Sequence, residues 1–280
     1  MFEKIIIASE LPKDMEVFIR SLGDLKKIGT KECIVLQCIE PDDMLSQLIQ
    51  MLKEAYQGNL DREIEILKEL GFEVSGQLIE GELKYVINRL ATEENCDLIV
   101  VGSRKTNKFG DPIWGGAAHE VIHRPSKPIL QIRIHNKVAE DEAVLEKEDL
   151  FRHVLFPTDF SENADMAYDI LLKMASFDIK KITLAHVFES EDQIPEAEKN
   201  LISLKTRLED AGAKDVTYRL LEGSPTKALI NLMNTDEVSL VIMGSQGRGR
   251  VQEIFLGSLS HNIARHSDVS VLLVPSWELN

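Results

Sequence analysis

The residues best suited to chemistry lie late in the chain, in Gly244-Ser245-Gln246-Gly247-Arg248-Gly249-Arg250, then Val251 to Leu256, then Gly257-Ser258-Leu259-Ser260. The spacing is G-x2-G-x9-G-S. Glycines so placed let backbone amides approach an anion and adopt positive φ, and a helix opening at Gly257 to Ser260 presents N–H groups without intrahelical partners. Phosphate suits such a cradle. The Ser258 and Ser260 hydroxyls can donate to phosphate oxygens, and Arg248 and Arg250 add positive charge. The formal net charge of −15 opposes broad contact with a nucleic-acid backbone, so phosphate must be held locally. The plainer reading, a glycine turn joining strand to helix, is less favoured by this spacing and setting.

Other candidate chemistry is weaker. His119 and His123 stand four apart on an expected helix, a spacing that can offer two imidazoles to a metal. No third ligand is evident and Glu120 is off the H-E-x-x-H register, so both read as surface or packing histidines. His186 falls in a strand and reads as packed rather than catalytic. No G-x4-G-K-[S/T] occurs, and no glycine loop precedes an obvious general base, which sets aside kinase and P-loop chemistry. Cys33, Cys38 and Cys96 form no C-x-x-C pair and read as buried structural thiols.

The elements that must position the glycine loop emerge from an internal repeat. Phe2-Glu3-Lys4-Ile5-Ile6-Ile7 matches Phe151-Arg152-His153-Val154-Leu155-Phe156, and Leu78-Ile79-Glu80-Gly81 matches Leu220-Leu221-Glu222-Gly223. Asp97 to Ser103 matches Ser239 to Ser245, and Pro128 to Ile132 matches Ser270 to Val274, in the same order. The 280 residues thus divide into domains 1–134 and 151–280, joined by an acidic linker 135–150 that contains Glu140-Asp141-Glu142. In the second copy, strands are expected near 152–157, 181–187, 215–221, 239–243 and 270–274. Helices fill the gaps, with Ser161 capping Glu162 to Phe177 and Ser224-Pro225 opening Thr226 to Met233. Runs such as Leu240-Val241-Ile242-Met243, without alternating polarity, suit a sheet covered on both faces. The fold class is α/β: two tandem doubly wound domains, each a five-stranded, mainly parallel sheet flanked by helices. Ligands of such sheets bind beyond the carboxyl ends of the strands where strand order reverses, which directs attention to the loops after strands one and four.

Composition, 44% hydrophobic and 28% charged, is that of a soluble globular chain. Apolar runs such as Ile5 to Ala8 fall far short of the roughly 20 residues that cross a bilayer, and no signal-peptide pattern opens the sequence. A cytoplasmic protein without membrane contact is expected.

With the loop, the repeat and the strand pattern together, the sequence resembles the universal stress proteins over nearly its whole length. Gly244-x2-Gly247-x9-Gly257-Ser258 after a buried fourth strand looks like their nucleotide loop, Pro157-Thr158-Asp159-Phe160-Ser161 like their strand-one signature, and Ala185-His186-Val187 like their second strand end. The resemblance implies an adenine nucleotide alpha hydrolase-like fold that holds ATP, or AMP or ADP, with magnesium entering through the phosphates. It implies that Pro157, Thr158 and Asp159 form the strand-one side, Asp159 meeting the ribose or adenine end, that Val187 and Met243 flank the base, and that Gly244, Gly247, Gly257, Ser258, Leu259 and Ser260 hold the phosphates, near Arg248. Asp159 has a second reading, as N-cap of the following helix.

The first copy departs from the pattern: Lys105 replaces the second glycine, Gly115-Gly116 lacks the serine, Pro112 and Trp114 add bulk, and Glu10 stands where the second copy has Asp159. The expectation is therefore an adenine-nucleotide-binding stress-response protein whose first domain is mainly a structural partner. Slow ATP hydrolysis or phosphotransfer is one alternative, and a scaffold without nucleotide is another. The apolar final strands, Ile129 to Ile134 and Val269 to Pro275, are expected to pair with each other within the chain, and a homodimer is a further possibility.

Overall fold

A computed structural model describes residues 1–8, 15–39, 46–104, 121, 125–136, 143–145, 149–247 and 256–276. The chain forms two compact units, Met1–Glu146 and Lys147–Asn280. The sequence-named residues Glu10, Lys105, Pro112, Trp114, Gly115, Gly116, His119, His123, Arg248 and Arg250 lie outside the described residues.

In the first unit, strands β1 (Lys4–Ala8), β2 (Glu32–Ile39), β3 (Glu73–Glu80), β4 (Leu98–Arg104) and β5 (Ile129–Asn136) alternate with helices that include α1 (Met15–Ser21), α2 (Ser46–Glu69) and α3 (Leu83–Glu93). The strands pair in parallel in the order β3-β2-β1-β4-β5. Strand β6 (Ala143–Leu145) adds antiparallel to β5. It falls inside the stretch read from sequence as linker, where the apolar triplet Ala143-Val144-Leu145 gives an otherwise acidic segment something to pair with the sheet. Cys33 and Cys96 are buried, and burial pushes their thiols up to about 12 and about 11, as suits structural thiols.

The second unit repeats the plan. Strands β7 (His153–Pro157), β8 (Lys181–Phe188), β9 (Val216–Glu222), β10 (Leu240–Gly244) and β11 (Ser270–Val274) pair in parallel in the order β9-β8-β7-β10-β11. Every residue of β7, β10 and β11 is buried, which is why these strands are unbroken apolar runs rather than alternating ones.

Among the described residues, helices α4 (Glu162–Met174), α5 (Ile194–Asp210), α6 (Pro225–Thr235) and α7 (Ser258–His266) flank this sheet. Helix α4 begins as its sequence requires, the Ser161 hydroxyl accepting from the Ala164 amide at 3.3 Å. It buries Ala164, Ala167, Tyr168, Leu171 and Met174 at helical spacing. It stops before the expected Phe177 because the last amides turn inward: Ala175 donates to Leu172 and Phe177 to Met174, a tightened i to i+3 ending. Helix α6 carries Pro225 in its first turn as expected, but Ser224 makes no side-chain cap. There the fixed φ of proline, not a hydroxyl, sets the helix start.

Candidate functional site

Strands β7 and β10 lie side by side at the centre of the second unit, and the chain leaves them in opposite directions, β7 toward β8 and β10 toward β11. The crevice beyond their carboxyl ends is the reversal point where such sheets bind ligands.

After β7, the Thr158 amide still donates to the Ala185 carbonyl at 2.8 Å, and then the chain turns. The turn is held from within: Thr158 Oγ1 accepts from the Phe160 amide at 3.0 Å, and Asp159 Oδ1 from the Ser161 amide at 3.1 Å. Phe160 has φ of 58°, a left-handed conformation that a bulky residue adopts only when its surroundings impose it. The imposing groups are on β8. The His186 ring stacks on Phe160 with centroids 4.6 Å apart, and its Nδ1 lies 2.8 Å from the Thr158 carbonyl. The capping residue of α4 is thus Ser161, and Asp159 organises the turn before it.

After β10, the Ser245 amide donates to Val274 at 2.7 Å, and the Ser245 carbonyl accepts from the Gly257 amide at 2.7 Å. This bond closes the neck of the glycine loop and sets the start of α7. The first backbone bond of that helix is His261 to Gly257, at 2.8 Å. The amides of Ser258, Leu259 and Ser260 precede it and make the positive end of the helix.

The structure changes the reason for the glycines. None of Gly244, Gly247 and Gly257 is among the positive-φ residues, contrary to the expectation from sequence. At Gly244 and Gly257 the requirement is close approach to backbone. A Cβ on Gly244 would lie 2.8 Å from the Asn163 carbonyl oxygen, and one on Gly257 would lie 3.3 Å from both the Gln246 Cα and the Ser245 oxygen. At Gly247 the neighbour is the Asp159 carboxylate, 3.1 Å from the Cβ position. Ser260 is corrected as well. Its hydroxyl donates to the Gly244 carbonyl at 2.8 Å and is buried, so it ties α7 to the end of β10 and leaves only its amide for a ligand. Ser258, by contrast, is exposed.

These elements enclose a cavity of about 490 Å³, within the span of roughly 300–1,000 Å³ usual for small-molecule sites. Pro157, Thr158 and Asp159 line it from β7, Val187 from β8, and Met243, Gly244 and Gly247 from β10 and its loop. Gly257, Ser258, Leu259 and Ser260 complete the wall from the start of α7. The structure thus brings together every sequence-named candidate except Arg248, which lies outside the described residues. It adds Ala164, Ala185, His186, Pro225, Gln246 and Leu256. Of these, Gln246 accepts from Ser276 Oγ at 3.2 Å and His186 holds the strand-one turn. The signal for His186 was its place beside Val187 at a strand end facing the reversal point.

The sequence model of the Universal stress protein family matches residues 1–133 and again 150–275. The chain belongs to the universal stress protein family. It carries two such units in tandem. A universal stress protein of Methanocaldococcus jannaschii is 28% identical over 155 residues, which cover 45% of this chain and 95% of that protein. The crystal structure of a universal stress protein from Archaeoglobus fulgidus matches with a TM-score of 0.78 at 23% identity, over 99% of this chain and 97% of that one. A functionally unknown protein from Pseudomonas aeruginosa matches with a TM-score of 0.62 at 13% identity, over 98% and 92%. The likenesses to these two structures show that the fold is shared over nearly the full length of the chain. Among the described residues, no helix is long and apolar enough to cross a membrane.

Proposed function

We propose that the second universal stress protein unit binds an adenine nucleotide, ATP foremost, in the cavity beyond β7 and β10. The observation that carries this reading is the start of α7, whose first three amides stand at a cavity lined also by apolar Val187, Met243 and Leu256 and by the Asp159 carboxylate. Such a helix end favours an anion through its N–H groups and its dipole together. In this reading the amides of Ser258, Leu259 and Ser260 and the Ser258 hydroxyl receive phosphate oxygens. The close-packed glycines Gly244 and Gly257 hold the loop so that those amides face the ligand.

Asp159 is a carboxylate and accepts only, so it meets the donors of the nucleoside, a ribose hydroxyl or an adenine amino group, and not the phosphates. Val187 and Met243 offer apolar contact to the base. A divalent cation would enter with the phosphates it neutralises. The first unit serves mainly as a structural partner.

The test is direct. Purified protein, denatured and cleared of polypeptide, should release adenine nucleotide into the supernatant, or failing carry-over the emptied chain should take up ATP on titration. Absence of both contradicts the reading.

A further inference from the structure

We infer that His186 is a positioning residue of this site, gripping the strained turn after β7 at two points so that the Asp159 carboxylate between them keeps a fixed direction. This rests on the nucleotide reading above.

The need for such a grip follows from where the ladder stops. The register of β7 with β8 ends at Pro157 opposite Ala185, and the Thr158 amide makes one more bond, to the Ala185 carbonyl. The Thr158 carbonyl is left in a residue only 7% exposed, where an unpaired acceptor is costly. His186 Nδ1 supplies the donor at 2.8 Å. A carbonyl only accepts, so the ring must carry its proton on Nδ1, which fixes its tautomer and orientation. The face of the same ring then packs on Phe160, two residues further on, which holds φ at 58°. Asp159 is bracketed by these two contacts. Its Oδ1 closes the turn on the Ser161 amide, and its Oδ2 is the atom that a Gly247 Cβ would approach to 3.1 Å. A histidine on β8 therefore determines how a carboxylate from β7 stands against the glycine loop from β10.

The first unit supplies an internal contrast. The register of β1 with β2 ends at Ala8 opposite Leu36, so Gln37 occupies the place of His186. Its amide nitrogen lies 3.2 Å from a carboxylate oxygen of Glu63 on α2, to which it donates. The donor at this position is thus turned to the helix layer in the first unit and to the strand-one turn in the second.

The experiment compares wild-type protein with His186→Leu, His186→Asn, Phe160→Gly, Asp159→Ala and the double variant Asp159→Ala/His186→Leu, by ATP titration and by amide hydrogen exchange without nucleotide. His186→Leu should weaken ATP binding roughly tenfold and speed exchange at Phe160 and Ser161, while the amides of Leu240 to Met243 keep their protection. His186→Asn, whose side-chain amide can replace Nδ1–H, should restore most of both. Phe160→Gly removes ring and strain together, so the fold is not threatened, and it should still weaken binding. In the Asp159→Ala background, His186→Leu should add little, because the histidine acts through the aspartate. Additive losses, failure of Asn to rescue, unchanged exchange, or full affinity in Phe160→Gly would each overturn the assignment. A wild-type chain that binds no nucleotide would overturn the nucleotide reading and this role with it. Binding by wild type that His186→Leu leaves intact would overturn the role of His186 alone.

Discussion

The two units share strand order and register up to the fourth strand and part at its end. In the second, the ladder between β10 and β11 runs out at Gly244 opposite Val274, and the chain leaves the sheet. In the first, β4 and β5 stay paired for two residues more, through Ser103 opposite Arg133 and Arg104 opposite Ile134. The Ser103 hydroxyl is buried and accepts from the Gln131 amide at 2.8 Å, whereas the Ser245 carbonyl receives Gly257 and closes the glycine loop. One sheet plan thus supports two outcomes, and the difference lies in where strand four lets go. The crevice after β10 depends on close backbone approaches at Gly244 and Gly257, which leave little room for a Cβ.

The largest effect should come from filling the tightest of those contacts. Gly244→Ala places a Cβ 2.8 Å from a backbone oxygen of α4, and overpacking of this kind costs about 1–3 kcal/mol. Urea denaturation should show the loss in the second unit, while Gly247→Ala, which meets only the end of the Asp159 side chain, should cost less. Equal losses would mean that the approach of β10 to α4 is not what requires glycine.

Next in size are the two serines of α7. Ser260→Ala leaves the Gly244 carbonyl without its donor and should lower stability by about 1–2 kcal/mol. Ser258→Ala, exposed, should leave stability within ~0.5 kcal/mol and weaken ATP relative to adenosine. A reversal of these roles, read from melting and titration of both variants, would contradict the assignment of the hydroxyls.

The smallest effect is expected from the arginines. If Arg250 acts only by raising the local potential, Arg250→Ala should cost ~0.5 kcal/mol in ATP affinity at physiological salt. For Arg248→Ala the loss separates two roles: ~0.5 kcal/mol if the side chain only raises the local potential, about 1.5–3 kcal/mol if it makes a charge-assisted contact. Adenosine has no phosphate to attract, so equal losses for adenosine and ATP would remove both arginines from phosphate binding.

Much of this was legible in the sequence because it is local. Apolar runs without alternation marked the central strands nearly to the residue, and a serine before an amphipathic run marked the start of α4. The candidate site was legible because glycine and serine spacing after a strand is itself a local pattern. What escaped was long-range. That Gly244 yields to Asn163, and that the Ser260 hydroxyl belongs to Gly244 rather than to a ligand, depends on elements far apart in the chain. For His186 the sequence showed only its place beside Val187 at a strand end, since nothing nearby shows that the β7 ladder ends one residue earlier and leaves a carbonyl to satisfy. The triplet that forms β6 was hidden by the acidic residues around it.

Calorimetric titration of the full chain with ATP, alongside Gly257→Val, decides whether a single nucleotide site stands at the end of β10 and none at the end of β4. One site per chain is expected in the wild type and none in the variant, whose branched Cβ would press on the Gln246 Cα and Ser245 oxygen now 3.3 Å from the Cβ position. Two equivalent sites, or a site that survives Gly257→Val, would contradict it.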